Sequence, residues 1–195
     1  PIAVLALRRS KLPSTRRKAR AMPRDTQSGA GLAPVADRVA DLNARYRHHG
    51  ATAVLERALT DAQVGRVALV SSVGAESVVL LHLLSVIDRK TPVLFIDTQM
   101  LFPETLAYQA ELAEKLELTD LRIIRAEPAK LAFEDPDNTL HQFSTDACCA
   151  LRKTEPLERA LLGFDAWITG RKRYQGQTRS AVEFFEAEGD LRIKV

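Results

Sequence analysis

Two periodicities alternate along the chain. Val35, Val39 and Leu42 recur at helical spacing, and a second helical stretch runs from Ala51 to Leu59. Arg66 to Val70 is instead a short apolar run ending in Ser71-Ser72-Val73-Gly74, the pattern of a buried strand. From Ser77, the spacing of Val78, Leu81, Leu84 and Val86 predicts a helix to about Ile87. Thr91-Pro92 interrupts it, and Val93 to Ile96 reads as a second strand closed by Asp97. Phe102-Pro103-Glu104 opens a helix with proline in its first turn, reaching Leu116. Leu121 to Ile124 predicts a third strand, and the polar, turn-rich stretch Glu134 to Thr145 a loop. Arg152 to Leu162 predicts a helix, Ala166 to Thr169 a fourth strand, and Gly170 to Ser180 a polar loop. Val182 to Phe185 and Leu191 to Val195 predict a terminal strand pair around Gly189-Asp190.

This alternation predicts an α/β fold, a parallel sheet with helices on both faces. Ligands of such sheets bind outside the carboxyl ends of the strands, here Ser71–Ser77, Asp97–Phe102 and Gly170–Arg179. The apolar runs are too short for a membrane span, so no membrane partner is expected. A chain of 195 residues with 46% hydrophobic and 27% charged residues is ordinary for a globular protein, which argues against disordered, collagen-like and coiled-coil classes.

Charge changes this picture at one end. The net charge of +3 first points to a nucleic-acid binder. Residues 1–21, however, hold seven basic residues and no acid; setting these apart leaves 21 basic against 25 acidic residues in the body. We therefore expect residues 1–31 to be a basic, disordered leader, 32–195 to be a single nucleotide-binding domain, and no nucleic-acid partner. The leader has the composition of a transit peptide but no clean amphipathic period, so an upstream start or tail, with Met22 as initiator, is the reading preferred. Two adjacent cysteines give no disulfide framework, and no secretory core is evident; the cytoplasm is the expected compartment.

Four segments have the residue types of a site. Ser71, Ser72, Gly74, Glu76 and Ser77 occupy a strand-to-helix turn whose hydroxyls, N–H groups and helix dipole suit a phosphate or sulfate; an ordinary turn with Ser77 as N-cap is the alternative. Ile96, Asp97 and Thr98 stand at a strand end where a carboxylate can accept from a ribose or an adenine amine, or cap a helix. Cys148-Cys149, followed by Arg152 and Lys153, can supply two thiolates to a zinc or iron–sulfur site or be two small semi-buried residues. Gly170, Arg171, Arg173 and Arg179 belong to a loop with four cations in nine residues, able to neutralise a dianion or simply to be solvated.

Taken together, Ser71-Ser72-Val73-Gly74-Ala75-Glu76-Ser77, Asp97-Thr98 with Leu101-Phe102-Pro103-Glu104-Thr105, Cys148-Cys149 with Arg152-Lys153 and Glu155-Pro156-Leu157, and Gly170-Arg171-Lys172-Arg173 with Thr178-Arg179 resemble the adenylyl-sulfate/phosphoadenylyl-sulfate reductases of assimilatory sulfate reduction. The resemblance runs from about Arg38 to Val195. It implies an adenine-nucleotide α-hydrolase-like fold, with Ile96 and Asp97 near adenosine and Lys153, Arg171 and Arg179 near the phosphosulfate. It also implies that Cys148-Cys149 is the first half of the 4Fe-4S site of the bacterial adenylyl-sulfate branch, hence adenylyl sulfate as substrate and AMP as product. In the family, a cysteine near the carboxyl terminus attacks sulfur to give an S-sulfocysteine, and thioredoxin then releases sulfite. That cysteine and the second cysteine pair are expected beyond Val195, so the 195 residues are expected to bind nucleotide without turning it over; a homo-oligomer is admitted.

Gln99-Met100 and Val73 depart from the residues usual at these positions of the family. The rival nucleotide is phosphoadenylyl sulfate, with Lys172 or Arg173 on its extra phosphate. An ATP pyrophosphatase is disfavoured because its Ser-Gly-Gly-x-Asp-Ser loop lacks its second Gly and its Asp here. A nucleic-acid-binding module would lack interleaved aromatics apart from Tyr174.

Overall fold

A computed structural model describes residues 32–170 and 182–195, with the side chains of Ala75 and Glu76 left aside. The leader and the basic loop Arg171–Arg179 therefore lie outside the described residues.

Six strands form one sheet in the order β3-β2-β1-β4-β6-β5. These are β1 (Val67–Ser71), β2 (Val93–Ile96), β3 (Leu121–Ile124), β4 (Ala166–Ile168), β5 (Glu186–Glu188) and β6 (Arg192–Lys194). Every pairing is parallel except β5 with β6. From β1 the chain adds β2 and β3 on one side, then returns to place β4 on the other. The order thus reverses beside β1, where α/β sheets open a crevice for ligands.

The pleat assigns successive residues of β1 to opposite faces. Val67 and Leu69 pack with Val93, Phe95 and Ile168 under α1 (Val35–Tyr46), α2 (Ala51–Thr60), α3 (Ala75–Ile87) and α4 (Pro103–Lys115). Ala68 and Leu94 face the other way, against Leu161 and Phe164 beyond α8 (Glu155–Ala160). Helices cover both faces, as the alternation predicts.

Three local expectations are corrected. The helix expected from Ser77 begins at Ala75, with Gly74 as its N-cap, and Val86 is exposed rather than on its buried face. The stretch expected as a loop over 134–145 contains α6 (Leu140–Phe143), preceded by α5 (Pro128–Glu134) and followed by α7 (Thr145–Cys149). α5 and α6 are too short to show a helical period, although Pro128 stands at the first turn of α5. The terminal pair is β5 with β6, not Val182 to Phe185. At Phe185 the backbone N–H donates to Asn43 Oδ1 (3.1 Å), and the carbonyl accepts from Asn43 Nδ2 (2.7 Å). A side-chain amide on α1 thus takes the place of a neighbouring strand.

Between α7 and α8 the helix continues through a π-helical turn, Ala150–Thr154. Among the described residues, no helix is long and apolar enough to cross a membrane.

Candidate functional site

The carboxyl end of β1 leads into the serine turn. Ser71 is buried, and its Oγ accepts from the Val73 N–H at 3.1 Å. That bond bends the chain so sharply that Val73 takes φ 56°, a left-handed conformation uncommon for a β-branched residue. Ser72 is exposed, and its Oγ lies 3.4 Å from Ser77 Oγ. Gly74 carries φ −66°, and a Cβ built there would meet only Ser72 Oγ, at 3.9 Å. The fold does not require a glycine at this position. What the missing side chain provides is open space over the start of α3, whose 13 residues direct their dipole at it.

At the end of β2, Ile96 and Thr98 are half-buried and Asp97 is buried. Asp97 Oδ1 accepts from the Gln99 N–H (2.8 Å), and Oδ2 accepts from Arg125 Nε (2.8 Å) just beyond β3. Gln99 has φ 61°, so the turn Asp97–Gln99 is held in a tight, left-handed bend with its carboxylate engaged on both oxygens.

Arg152 and Lys153 diverge. Lys153 is exposed, as a ligand-facing cation must be, whereas Arg152 is 1% exposed. Arg152 donates from Nε and Nη2 to Asp135 Oδ2 (3.1 and 2.6 Å), from Nη2 to Asn138 Oδ1 (2.6 Å) and from Nη1 to the Thr98 carbonyl (2.9 Å). Burial works against the Asp135 charge, but the Leu140 N–H and the Arg152 guanidinium outweigh it and hold the carboxyl below its usual range. Expected among the substrate ligands, Arg152 instead has its guanidinium committed within the protein. Sequence reasoning missed Asp135, Asn138 and Arg125; only the turn-forming character of Asp135-Pro136-Asp137-Asn138 marks that segment.

Cys148 is buried and Cys149 exposed, and both are free thiols. The described residues show no group of three or more metal-ligating side chains, and the 195 residues contain two cysteines. Two thiols amount to half of a four-thiolate donor set. Gly170 lies past the end of β4, beside a cleft of about 560 Å³ walled by Leu80, Leu83, Ile168 and Phe184. Expected site residues Arg171, Arg173 and Arg179, and the Glu76 side chain, lie outside what the structure describes.

The serine turn, the Asp97 turn and Gly170 thus share one edge of the sheet, with the thiol-bearing helix tied to it through Thr98. Against known proteins, residues 66–195 match the phosphoadenosine phosphosulfate reductase domain. An adenosine 5'-phosphosulfate reductase of Mesorhizobium japonicum is 47% identical over 161 residues, 83% of this chain and 63% of that protein. One from Chelativorans sp. is 43% identical over 156 residues, 80% of this chain and 63% of that protein. The chain spans 63% of the length of both relatives. The crystal structure of phosphoadenylyl-sulfate reductase from Candida auris, a phosphate complex, superposes with a TM-score of 0.66 at 26% identity, over 80% of this chain and 76% of that one. The chain belongs to the phosphoadenosine phosphosulfate reductase domain family.

Proposed function

We propose that this chain is the nucleotide-binding part of an adenylyl-sulfate reductase. The observation that carries the reading is the serine turn at the strand-order reversal, open above Gly74 and aimed along α3, one strand away from the buried Asp97. Ser72, Ser77 and the first N–H groups of α3 receive the phosphosulfate, with Ser71 shaping the turn and Glu76 standing in it. Ile96, Asp97 and Thr98 receive the adenosine, Lys153 adds a cation from the neighbouring helix, and the segment that begins at Gly170 brings Arg171, Arg173 and Arg179 as further cations for the anion. The relatives named for adenosine 5'-phosphosulfate favour that nucleotide, while the Candida auris neighbour keeps phosphoadenylyl sulfate as the second reading.

The reaction requires a nucleophile that these residues do not supply. A cysteine thiolate outside them attacks the sulfur of the nucleotide; the sulfur–oxygen bond breaks, and AMP leaves with the electron pair, stabilised by the cations and N–H donors around its phosphate. Two thiols of thioredoxin then reduce the S-sulfocysteine. One attacks its Sγ and expels sulfite, and the second resolves the mixed disulfide, so that thioredoxin leaves oxidised. Such thiol exchange belongs to a reducing compartment, the cytoplasm. Cys148 and Cys149 would supply two of the four thiolates that hold a 4Fe-4S cluster, and the cluster, when bound, would fix the thiol-bearing helix beside the Asp97 turn. The test compares thioredoxin-dependent sulfite release from both nucleotides. A protein carrying the missing cysteines releases sulfite faster from adenylyl sulfate, and the 195 residues alone release none; equal release by both proteins contradicts the reading.

A further inference from the structure

We propose that Arg152 is a positioning residue for the nucleoside, which it serves by fixing the Asp97–Gln99 turn without touching the ligand. The inference rests on the reading that this turn receives adenosine. The Arg152 side chain is 1% exposed and its Asp135 partner 2%, so no anion reaches the guanidinium. Asp135 also cancels its charge: Oδ2 takes Nε and Nη2 of Arg152, and Oδ1 takes the Leu140 N–H at 2.9 Å. A neutral, sealed pair adds little attraction for a phosphosulfate.

Stability alone does not account for such a pair, since replacing a buried ion pair by apolar side chains of similar volume is often neutral or stabilising. What it supplies is geometry. A planar guanidinium with donors pointing in several directions reaches Asp135, Asn138 and the Thr98 carbonyl at once, tying its own helix to the Asp135–Asn138 turn and to the turn after β2. Thr98 sits at the centre of the turn whose other ties are Asp97 Oδ1 to the Gln99 N–H and Asp97 Oδ2 to Arg125. Arg152 anchors the same turn from the side of the thiol-bearing helix.

Arg152 rather than Lys153 does this because of where each lies on the helix: Arg152 is inward and Lys153 outward, and Cys148, four residues before Arg152 and so on the same helical face, is buried as well. The thiol pair and the nucleoside turn therefore share one anchor.

The test measures binding of adenosine, AMP, adenylyl sulfate and inorganic sulfate to the 195-residue chain and to two variants. Arg152→Lys keeps the charge opposite Asp135 but lacks the fork that reaches Thr98. Asn138→Gly removes one acceptor from Nη2 at a residue with φ 56°, where glycine fits the backbone. If Arg152 positions the turn, Arg152→Lys weakens adenosine, AMP and adenylyl sulfate by one common factor of about ten, and Asn138→Gly by about three, with sulfate unchanged. If Arg152 contacts the anion, adenosine is unaffected while adenylyl sulfate and sulfate weaken, which overturns the inference. Unchanged affinity for all probes in the folded variants overturns it too, and Asn138→Gly decides alone where the lysine variant does not melt cooperatively. A wild-type chain that binds none of the nucleotides overturns the reading beneath it.

Discussion

Asp97 and Arg125, at the ends of adjacent strands β2 and β3, meet at 2.8 Å with the aspartate side chain 4% exposed and the arginine side chain 56% exposed. The pair is lopsided: the anion is sealed under the turn while the cation stands on the rim. Its value lies in compensating a buried charge rather than in the attraction itself, which solvent screens on the arginine side. Arg125→Gln retains a donor of shorter reach, and we expect it to lower unfolding free energy by about 1 kcal/mol. It should also loosen the Asp97–Gln99 turn enough to weaken AMP binding severalfold. Urea unfolding and AMP titration of the same preparation check both; unchanged AMP affinity would separate this ion pair from the nucleoside site.

Gly74→Ala separates fold from function. Backbone angles and space at Gly74 admit a methyl group without strain. Stability should therefore stay within about 0.5 kcal/mol of wild type. If a phosphosulfate lies against the start of α3, the same methyl intrudes on it, and adenylyl-sulfate affinity should fall more than tenfold while adenosine affinity holds. Matched melting curves and titrations provide the check, and full affinity in the alanine variant would place the anion elsewhere.

Much of the scaffold is legible in the sequence because its central strands β1 and β2 are buried on both faces. Leu69, Leu94 and Phe95 are wholly buried, and the apolar runs around them need no periodicity to be read. β5 is different: Glu186-Ala187-Glu188 is an edge strand whose Glu188 accepts from Trp167 Nε1 (3.0 Å) and Arg192 Nε (2.9 Å), so its residues carry no apolar signature. The site residues at strand ends could be named from their motifs. The clamp around Arg152 could not, since Thr98, Asp135 and Asn138 converge on it only through the crossover topology.

Lys153 and Arg152 should accordingly respond in opposite ways to loss of the side chain. Lys153 is exposed, so Lys153→Ala should leave the melting temperature within a few degrees of wild type and weaken adenylyl sulfate by about 1.5–3 kcal/mol, the scale of a charged hydrogen bond. Arg152→Met, by stranding the Asp135 carboxylate, should lower the melting temperature by roughly 5–15 °C. Thermal melts and calorimetry on the two variants test the contrast; a melting loss in Lys153→Ala would contradict it.

Acid should release this clamp only at low pH. Asp135 is buried, yet its hydrogen bonds from the Leu140 N–H and Arg152 hold its folded-state pKa below the usual carboxylate value. The unfolded chain then binds the proton more readily, so the stabilisation is fully present above about pH 4 and is lost as pH falls through the depressed folded value. Asp135→Asn keeps an acceptor for Arg152 but removes the titration. We expect the variant to be less stable at pH 7 and the gap to wild type to narrow as pH falls below about 4. Unfolding measured between pH 7 and pH 3 reads the slope directly, and a gap independent of pH would contradict it.

The most direct test is calorimetric titration of the 195-residue chain with adenylyl sulfate, with phosphoadenylyl sulfate and ATP as comparisons. We expect saturable binding of adenylyl sulfate at one site per chain, tighter than either comparison and competed by AMP. Tighter binding of ATP, or no binding of any of the three, would contradict the claim that the serine turn and the Asp97 turn together form a nucleotide phosphosulfate site.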